Sequence, residues 1–222
     1  LVLSGCMPKR LSQQINDLLP FPKLRNNPIQ ETYIKDTAKI HQRNLKSNTT
    51  FSLHSEKTQQ VVIMIGQSTI PFNHEDDILL RLLSCYLGSG MSSYLFTKLR
   101  EEHGVAYEVG IYHPIREFNS PFLMHASTSE EKSSLTLKLL EDCWWSISNN
   151  LISNEDLQLS KAKFRGQIAH SSQTISQRAG RKAHLIGLNM PSNYDKICLN
   201  KIDFWRIVSL KKLPKSLSTN FQ

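Results

Sequence analysis

The segment from Leu87 to Tyr107, LGSGMSSYLFTKLREEHGVAY, constrains the fold more than any other part of the chain. It starts with a short loop that contains Gly88, Ser89 and Gly90. The apolar spacing that follows predicts a helix. We expect this helix to end at Gly104, because a glycine suits the left-handed residue that closes many helices. A strand is predicted immediately afterwards, so the segment is a loop, a helix and the start of a strand.

Two side chains of this segment carry hydrogen-bond donors that the predicted turn should bring together. Arg100 lies in the last turn of the helix, and Tyr107 lies at the start of the strand. A guanidinium offers a planar fork of donors suited to a peptide carboxylate or carbonyl. A phenol adds one donor for a developing oxyanion. The plainer alternatives are a surface cation favoured by the helix C-terminus for Arg100 and a core strand residue for Tyr107.

The remaining patterns define the fold class. Residues 60–66 form an apolar run suited to a central strand, and further strands are expected at 1–5 and 50–54. Residues 105–113 and 122–128 are predicted to form an antiparallel pair across a turn. Helices are predicted at 8–19, 77–87, 128–147, 153–190 (with a break near 171–172), 194–199 and 204–210.

Strands followed by a run of helices predict an α+β domain, with an antiparallel sheet and helices packed on one face. We expect residues 1–45 to form a strand–helix segment and linker, 46–200 to form the α+β domain, and 201–222 to be an incomplete tail. Thr128 and Glu131 have the spacing of a capping box, which predicts a helix start there. A later helix is predicted to bury one stripe formed by Ile175, Ala179, Ala183 and Ile186.

The segment GSGMSSYLFTKLREEHGVAYEVGIYHP, which begins at Gly88, resembles part of the insulinase/pitrilysin family of zinc metallopeptidases (inverzincins). The family pattern is a glycine-rich turn, MSSRLF, a helix ending in LRE, then G-[LV]-A-Y and a strand. Weaker similarity extends over residues 1–199. The resemblance implies the C-terminal, non-metal domain of such a peptidase, with a fold like that of the mitochondrial processing peptidase.

The metal-binding half of that family carries H-x-x-E-H on one helix. No two of the eight histidines in this chain have that spacing with a glutamate between them. We therefore expect no catalytic residue and no metal ligand here. The resemblance implies that zinc is bound only by a homologous partner half, either in the same polypeptide or in a separate subunit. The chain does not begin with Met, which favours a fragment of something longer.

The resemblance also implies roles for particular residues. Arg100 and Tyr107 would hold the substrate peptide or its transition state while the zinc-bound water of the partner half hydrolyses it. The chain alone would be inactive. The loop formed by Gly88, Ser89 and Gly90 is a possible substrate-recognition loop, as in the mitochondrial processing peptidase. The alternative is a plain tight turn, since the loop lacks the lysine and spacing of a phosphate-binding loop.

Two further functions remain open. Some members of the resembled family have lost catalysis and serve as structural or assembly subunits, as the core proteins of the respiratory cytochrome complex do. The chain could also bind nucleic acid through its C-terminal third, because 12 Lys/Arg and only two acidic residues follow position 160 in a chain of net charge +8. It lacks the signature of a known nucleic-acid-binding module, so we expect no such partner.

Composition adds two expectations. No apolar run approaches the length of a membrane-spanning helix, so none is predicted. The four cysteines form no CxxC pair, and their wide spacing is typical of reduced, mostly buried thiols in the cytoplasm.

Overall fold

A computed structural model describes residues 5, 6, 9–18, 59–72 and 74–204 of the chain. These residues fall into two units. The first contains residues 5, 6 and 9–18 and includes helix α1 (Leu11–Leu18), which lies within the helix predicted at 8–19. The second contains residues 59–72 and 74–204. The strands predicted at 1–5 and 50–54, and the helix predicted at 204–210, lie almost entirely outside the described residues.

The second unit contains an antiparallel sheet of three described strands, β1 (Val61–Ser68), β2 (Glu108–Tyr112) and β3 (Pro121–Thr128). Their order is β1-β3-β2, so β3 lies between the other two. The predicted antiparallel pairing of β2 with β3 is confirmed. The strand predicted at residues 60–66 forms as β1, but β3 rather than β1 lies between two others among the described strands, and β1 alternates between half-buried and exposed residues.

Seven further segments of this unit are helical. They are α2 (Asp77–Gly88), a π-helix (Phe96–Glu102), a 3₁₀ turn (Glu130–Lys132), α3 (Ser133–Asn149), α4 (Asn154–His170), α5 (Ile175–Gly187) and α6 (Tyr194–Phe204). No helix in the described ranges combines the length and apolar character that crossing a membrane requires.

The helices cover one face of the sheet. Phe122, Met124 and Ala126 of β3 are fully buried, because α3 packs against β1 and β3 while α2 packs against β2. The opposite face of the sheet exposes Val62 and Met64, which are 56% and 61% accessible. Burying one side chain such as Phe122 contributes roughly 1.5–3 kcal/mol, so the single covered face accounts for much of the core energy. The expected α+β class is confirmed.

Two local predictions about helices are wrong. Thr128 does not cap a helix; its hydroxyl donates to the Val105 carbonyl, and a 3₁₀ turn precedes α3. The capping box forms instead at the start of α5, where Thr174 and Gln177 exchange hydrogen bonds. The Thr174 hydroxyl oxygen accepts from the Gln177 N–H, whereas Thr128 is the last residue of β3 and its hydroxyl faces the Val105 carbonyl.

The side of α5 that was predicted to be buried is exposed to solvent. Ile175 and Ile186 are 53% and 56% exposed, whereas Leu185 is buried. The helix is held from the other side, where Arg181 forms an ion pair with Asp195 of α6. Tertiary contacts to α6 therefore outweigh the apolar pattern of this helix.

Candidate functional site

The helix that carries Arg100 is wider than an ordinary α-helix. Residues Phe96–Glu102 form a π-helix, and Leu99 on its inner side is fully buried in the core. Such turns are rare and frequently occur at functional sites. The helix ends at a glycine as predicted, since Gly104 has φ +59. The Val105 N–H then donates to the Leu99 carbonyl at 2.9 Å, which turns the chain back toward β2.

Arg100 and Tyr107 come together at the end of this turn. The Arg100 Nη1 donates to the backbone carbonyl of Tyr107 at 3.0 Å. The guanidinium carbon also lies 5.1 Å from the centre of the Phe96 ring, a cation–π distance. Arg100 is exposed and Tyr107 is 60% accessible, so neither is a core residue. The structure thus places a held guanidinium beside an accessible tyrosine.

The loop of Gly88, Ser89 and Gly90 is fixed by contacts with other elements. A Cβ on Gly88 would lie 2.8 Å from the Ile111 nitrogen, so a glycine allows the end of α2 to approach β2. Gly90 has φ +75, a left-handed conformation that favours glycine. Both glycines therefore have a structural reason that requires no ligand.

Ser89 is tied to helix α4. Its hydroxyl accepts a hydrogen bond from Gln167 Nε2 at 2.7 Å, and Gln167 Oε1 accepts one from the Cys85 thiol at 3.3 Å. Burial raises the pKa of Cys85 to about 11, so this thiol remains a proton donor at neutral pH. Within the described ranges, no hydrogen bond or ion pair links this loop to Arg100 or Tyr107. The structure does not bring the loop into the Arg100–Tyr107 pair.

A buried charged cluster was missed by the sequence predictions. Asp77 is completely inaccessible and accepts from Arg81 Nε at 2.6 Å and Nη2 at 3.2 Å. His113 places Nε2 3.1 Å from the same carboxylate and Nδ1 3.0 Å from the Pro121 carbonyl. Both ring nitrogens thus face protein oxygens, one on the Asp77 carboxylate and one on the Pro121 carbonyl.

The sequence signal for this cluster was weak. Asp77 and Arg81 have the i, i+4 spacing of a helical ion pair, but His113 lies 36 positions away from Asp77. A carboxylate in the first turn of a helix, where Asp77 lies, is ordinarily expected only to favour the positive end of the helix dipole. Its complete burial makes it instead the shared acceptor of two cationic or donor groups, and a structural component of the core.

A zinc site in a protein needs three or four His, Cys, Asp or Glu side chains close together in space. No three His, Cys, Asp or Glu side chains in the described ranges are grouped so that they could hold a metal ion. Both nitrogens of the buried His113 already face protein oxygens. The residues that the structure describes therefore do not fit a zinc site.

The similarity to known proteins agrees with this fold. The sequence profile described as "Peptidase M16 inactive domain" matches residues 9–164. The chain belongs to this family. The expected resemblance to the insulinase-type zinc peptidases is therefore confirmed, with the chain corresponding to the inactive domain of such a protein.

Two curated proteins are similar to this chain in sequence. An "Uncharacterized zinc protease YmxG" of Bacillus subtilis is 25% identical over 170 residues, 72% of this chain and 41% of the relative. A "Non-peptidase homolog YmxG" of Helicobacter pylori is 25% identical over 209 residues, 92% of this chain and 44% of the relative. The chain thus spans about two fifths of these curated relatives.

A solved structure shows the same fold. The peptidase M16 inactive domain of Pseudomonas fluorescens superimposes with a TM-score of 0.65 at 22% identity, covering 72% of this chain and 38% of that one.

Proposed function

We propose that this chain is the substrate-clamping half of an M16 zinc endopeptidase, with residues 46–200 as its α+β domain. A homologous half with the zinc motif would bind the metal and carry out hydrolysis. The observation that carries the proposal is the exposed pair of Arg100 and Tyr107, in which the guanidinium is held by a backbone carbonyl at 3.0 Å. The names of relatives as zinc proteases support a peptide as the ligand.

The geometry suits a peptide backbone. One N–H of Arg100 donates to Tyr107, and the Phe96 ring restrains the plane of the guanidinium, so the other N–H groups remain available to a ligand. These would donate to a peptide carbonyl or carboxylate, and the Tyr107 hydroxyl would donate to the carbonyl that becomes an oxyanion. Closure of the partner half over the pair would exclude water and strengthen both interactions.

The test is reconstitution with a zinc-bearing M16 half and a fluorogenic peptide. Arg100→Ala and Tyr107→Phe should each reduce kcat/KM by about 100-fold, the usual cost of losing one oxyanion donor. Arg116 offers a matched control, because it is exposed and only its backbone carbonyl takes part in a described hydrogen bond. If Arg100→Ala cleaves as fast as Arg116→Ala, the clamping role is wrong.

A catalytically inactive assembly subunit is the second candidate. The Helicobacter pylori relative named as a non-peptidase homolog favours it. The two candidates differ in the coding sequence upstream of Leu1, where H-x-x-E-H would support the peptidase. They also differ in reconstitution, since an assembly subunit would form a stable complex with its partner without peptide cleavage in any combination of halves.

A further inference from the structure

The turn between the π-helix and β2 is anchored by two side chains, one from the last residue of β3 and one from the 3₁₀ turn that follows it. Lys132 Nζ donates to the Gly104 carbonyl at 2.9 Å. Thr128 Oγ1 donates to the Val105 carbonyl at 2.5 Å. These two carbonyls belong to the residues that separate Arg100 from Tyr107, so both bonds act on the segment that sets the spacing of the pair.

The second layer of this anchor is a buried pair of hydroxyl groups. Thr128 and Thr136 are completely inaccessible, and their Oγ1 atoms lie 3.1 Å apart. The Thr128 hydrogen is directed to the Val105 carbonyl, so Thr128 is the acceptor in this pair. The single hydroxyl hydrogen of Thr136 has a second acceptor within reach, the Lys132 carbonyl at 2.8 Å, so these two oxygens share one donor. Removing a buried hydroxyl would leave the partner oxygen unsatisfied, which is costly.

Backbone bonds complete the restraint. The Tyr107 N–H donates to the Ser127 carbonyl at 2.8 Å, and the Val105 N–H donates to the Leu99 carbonyl. The Tyr107 carbonyl, which accepts from the Arg100 guanidinium, therefore lies in a turn that is held by the C-terminal end of β3 and by the 3₁₀ turn that follows it. A shift of this turn would move the phenol and the guanidinium contact together.

We propose that Thr128, supported by Thr136 and Lys132, is a positioning residue for the Arg100–Tyr107 pair. The inference rests on the proposed function for its effect on cleavage, but not for its effect on the geometry of the pair. The sequence pattern around Thr128 predicted a helix cap, and the structure assigns its hydroxyl to the Val105 carbonyl instead. The position of a substrate clamp would thus depend on a threonine that touches neither substrate nor clamp side chain.

The first test follows the Arg100 side chain in the full chain without any partner. In ¹⁵N NMR spectra, the guanidinium held by Tyr107 should give Arg100 N–H signals distinct from those of an exposed arginine. Thr128→Val should shift these signals toward the positions of an unrestrained arginine. Thr128→Ser keeps the hydroxyl and should restore them.

A matched control uses the same type of bond elsewhere in the fold. Thr69 Oγ1 donates to the Ser120 carbonyl at 2.7 Å, so Thr69→Val removes an equivalent hydroxyl–carbonyl bond. It should lower stability without moving the Arg100 signals. If Thr128→Val does not fold, Lys132→Met provides the second variant, because its bond is exposed, and it should move the signals in the same direction. Unchanged Arg100 signals in a folded Thr128→Val or Lys132→Met chain would overturn the inference.

The second test measures cleavage in the reconstituted peptidase. A misplacement of about 1 Å can reduce the rate by roughly 100-fold, so Thr128→Val should lower kcat by about tenfold or more, with a smaller change in KM. Thr128→Ser and Thr69→Val should remain close to wild type. If Arg100→Ala abolishes cleavage while folded Thr128→Val matches Thr69→Val, the positioning role fails and the clamp stands. If Arg100→Ala has no effect, the clamp fails, and the NMR signals alone decide the positioning role.

Discussion

Two arginines of this molecule, Arg81 in α2 and Arg100 in the π-helix, differ in whether a buried charge depends on them. Arg81 makes two hydrogen bonds to Asp77 and stacks on Phe72, with its guanidinium carbon 4.9 Å from the ring centre. Arg100 also stacks on a phenylalanine, but it makes a single bond to a backbone carbonyl at the surface. Releasing Arg81 would leave a carboxylate buried without its counter-charge, whereas Arg100 can exchange partners with water at small cost. An arginine is available to a ligand only where no buried charge depends on it.

The largest expected change in unfolding free energy comes from the buried cluster that contains Arg81. Asp77→Ala should lower the free energy of unfolding by about 3–5 kcal/mol, because it leaves Arg81 and His113 without their shared acceptor. Urea unfolding followed by circular dichroism would measure the loss. A loss below about 1 kcal/mol would show that the cluster is not a structural component, since surface changes have effects of that size.

The buried thiols should make stability depend on pH in the alkaline range. Burial raises the pKa values of Cys85, Cys143 and Cys198 from 9.0 to about 11. These thiols stay protonated in the folded state and ionise in the unfolded state above pH 9, so unfolding releases protons. Stability should be fully present below pH 9 and fall as the pH rises through about 11, by on the order of 2 kcal/mol per thiol.

Cysteine variants would separate this effect from other alkaline titrations. Cys198 lies close to Tyr194, which packs on Phe72 in the Arg81 region, so it belongs to the buried side of the comparison. Cys198→Ala should flatten the decline of unfolding free energy between pH 9 and 11 relative to the wild-type chain. Equal slopes for the two proteins would rule out ionisation of this thiol as a cause.

Substitutions in the loop of Gly88, Ser89 and Gly90 would show whether its glycines are needed for packing. Gly88→Ala should cost about 1–3 kcal/mol, since its Cβ would lie 2.8 Å from the backbone nitrogen of Ile111 in β2. Gly166 in α4 is the control, because a Cβ there meets no atom within 4 Å. Gly166→Ala should instead stabilise the chain by about 0.5–1 kcal/mol. Thermal unfolding of both variants would decide, and a stabilising Gly88→Ala would contradict the packing argument.

The smallest expected change in unfolding free energy is for the exposed arginine of the comparison, Arg100. Arg100→Ala should change the free energy of unfolding by no more than about 0.5 kcal/mol, as is usual for surface substitutions. The same urea titration used for Asp77→Ala measures it. A loss of several kcal/mol would mean that Arg100 is a structural residue like Arg81, and the reduced cleavage expected for Arg100→Ala would then reflect unfolding.

Predictions from local pattern succeeded where neighbouring residues decide the outcome. The left-handed Gly104, the Ser153 cap of α4 and the break after α4 all follow from short-range backbone preferences. The antiparallel pairing of β2 and β3 follows from two apolar runs joined by a turn. The bond from the Arg100 guanidinium to the Tyr107 backbone carbonyl is also short-range, since seven positions separate the two residues, while their role as a substrate clamp stays a prediction.

Predictions from local pattern failed where a contact with a residue distant in the sequence overrode the local preference. Thr128 suits a helix cap, but a carbonyl 23 residues away takes its hydroxyl. The apolar stripe of α5 suits burial, but its ion pair with α6 turns the other side inward. Neither outcome is encoded in spacing along the chain.

The amino-acid order alone therefore determined the α+β class and the family, and it supplied Arg100 and Tyr107 as the pair proposed to bind a peptide. The sequence pattern fixes the detailed conformation over only about one turn of backbone, because side-chain periodicity and glycine conformations act over that distance. Only the folded chain decided which arginine is paired with a buried carboxylate, and which threonine hydroxyl bonds to the turn that follows the exposed one. Those assignments depend on desolvation and on contacts between elements far apart in sequence, and both arise only when the sheet and helices pack.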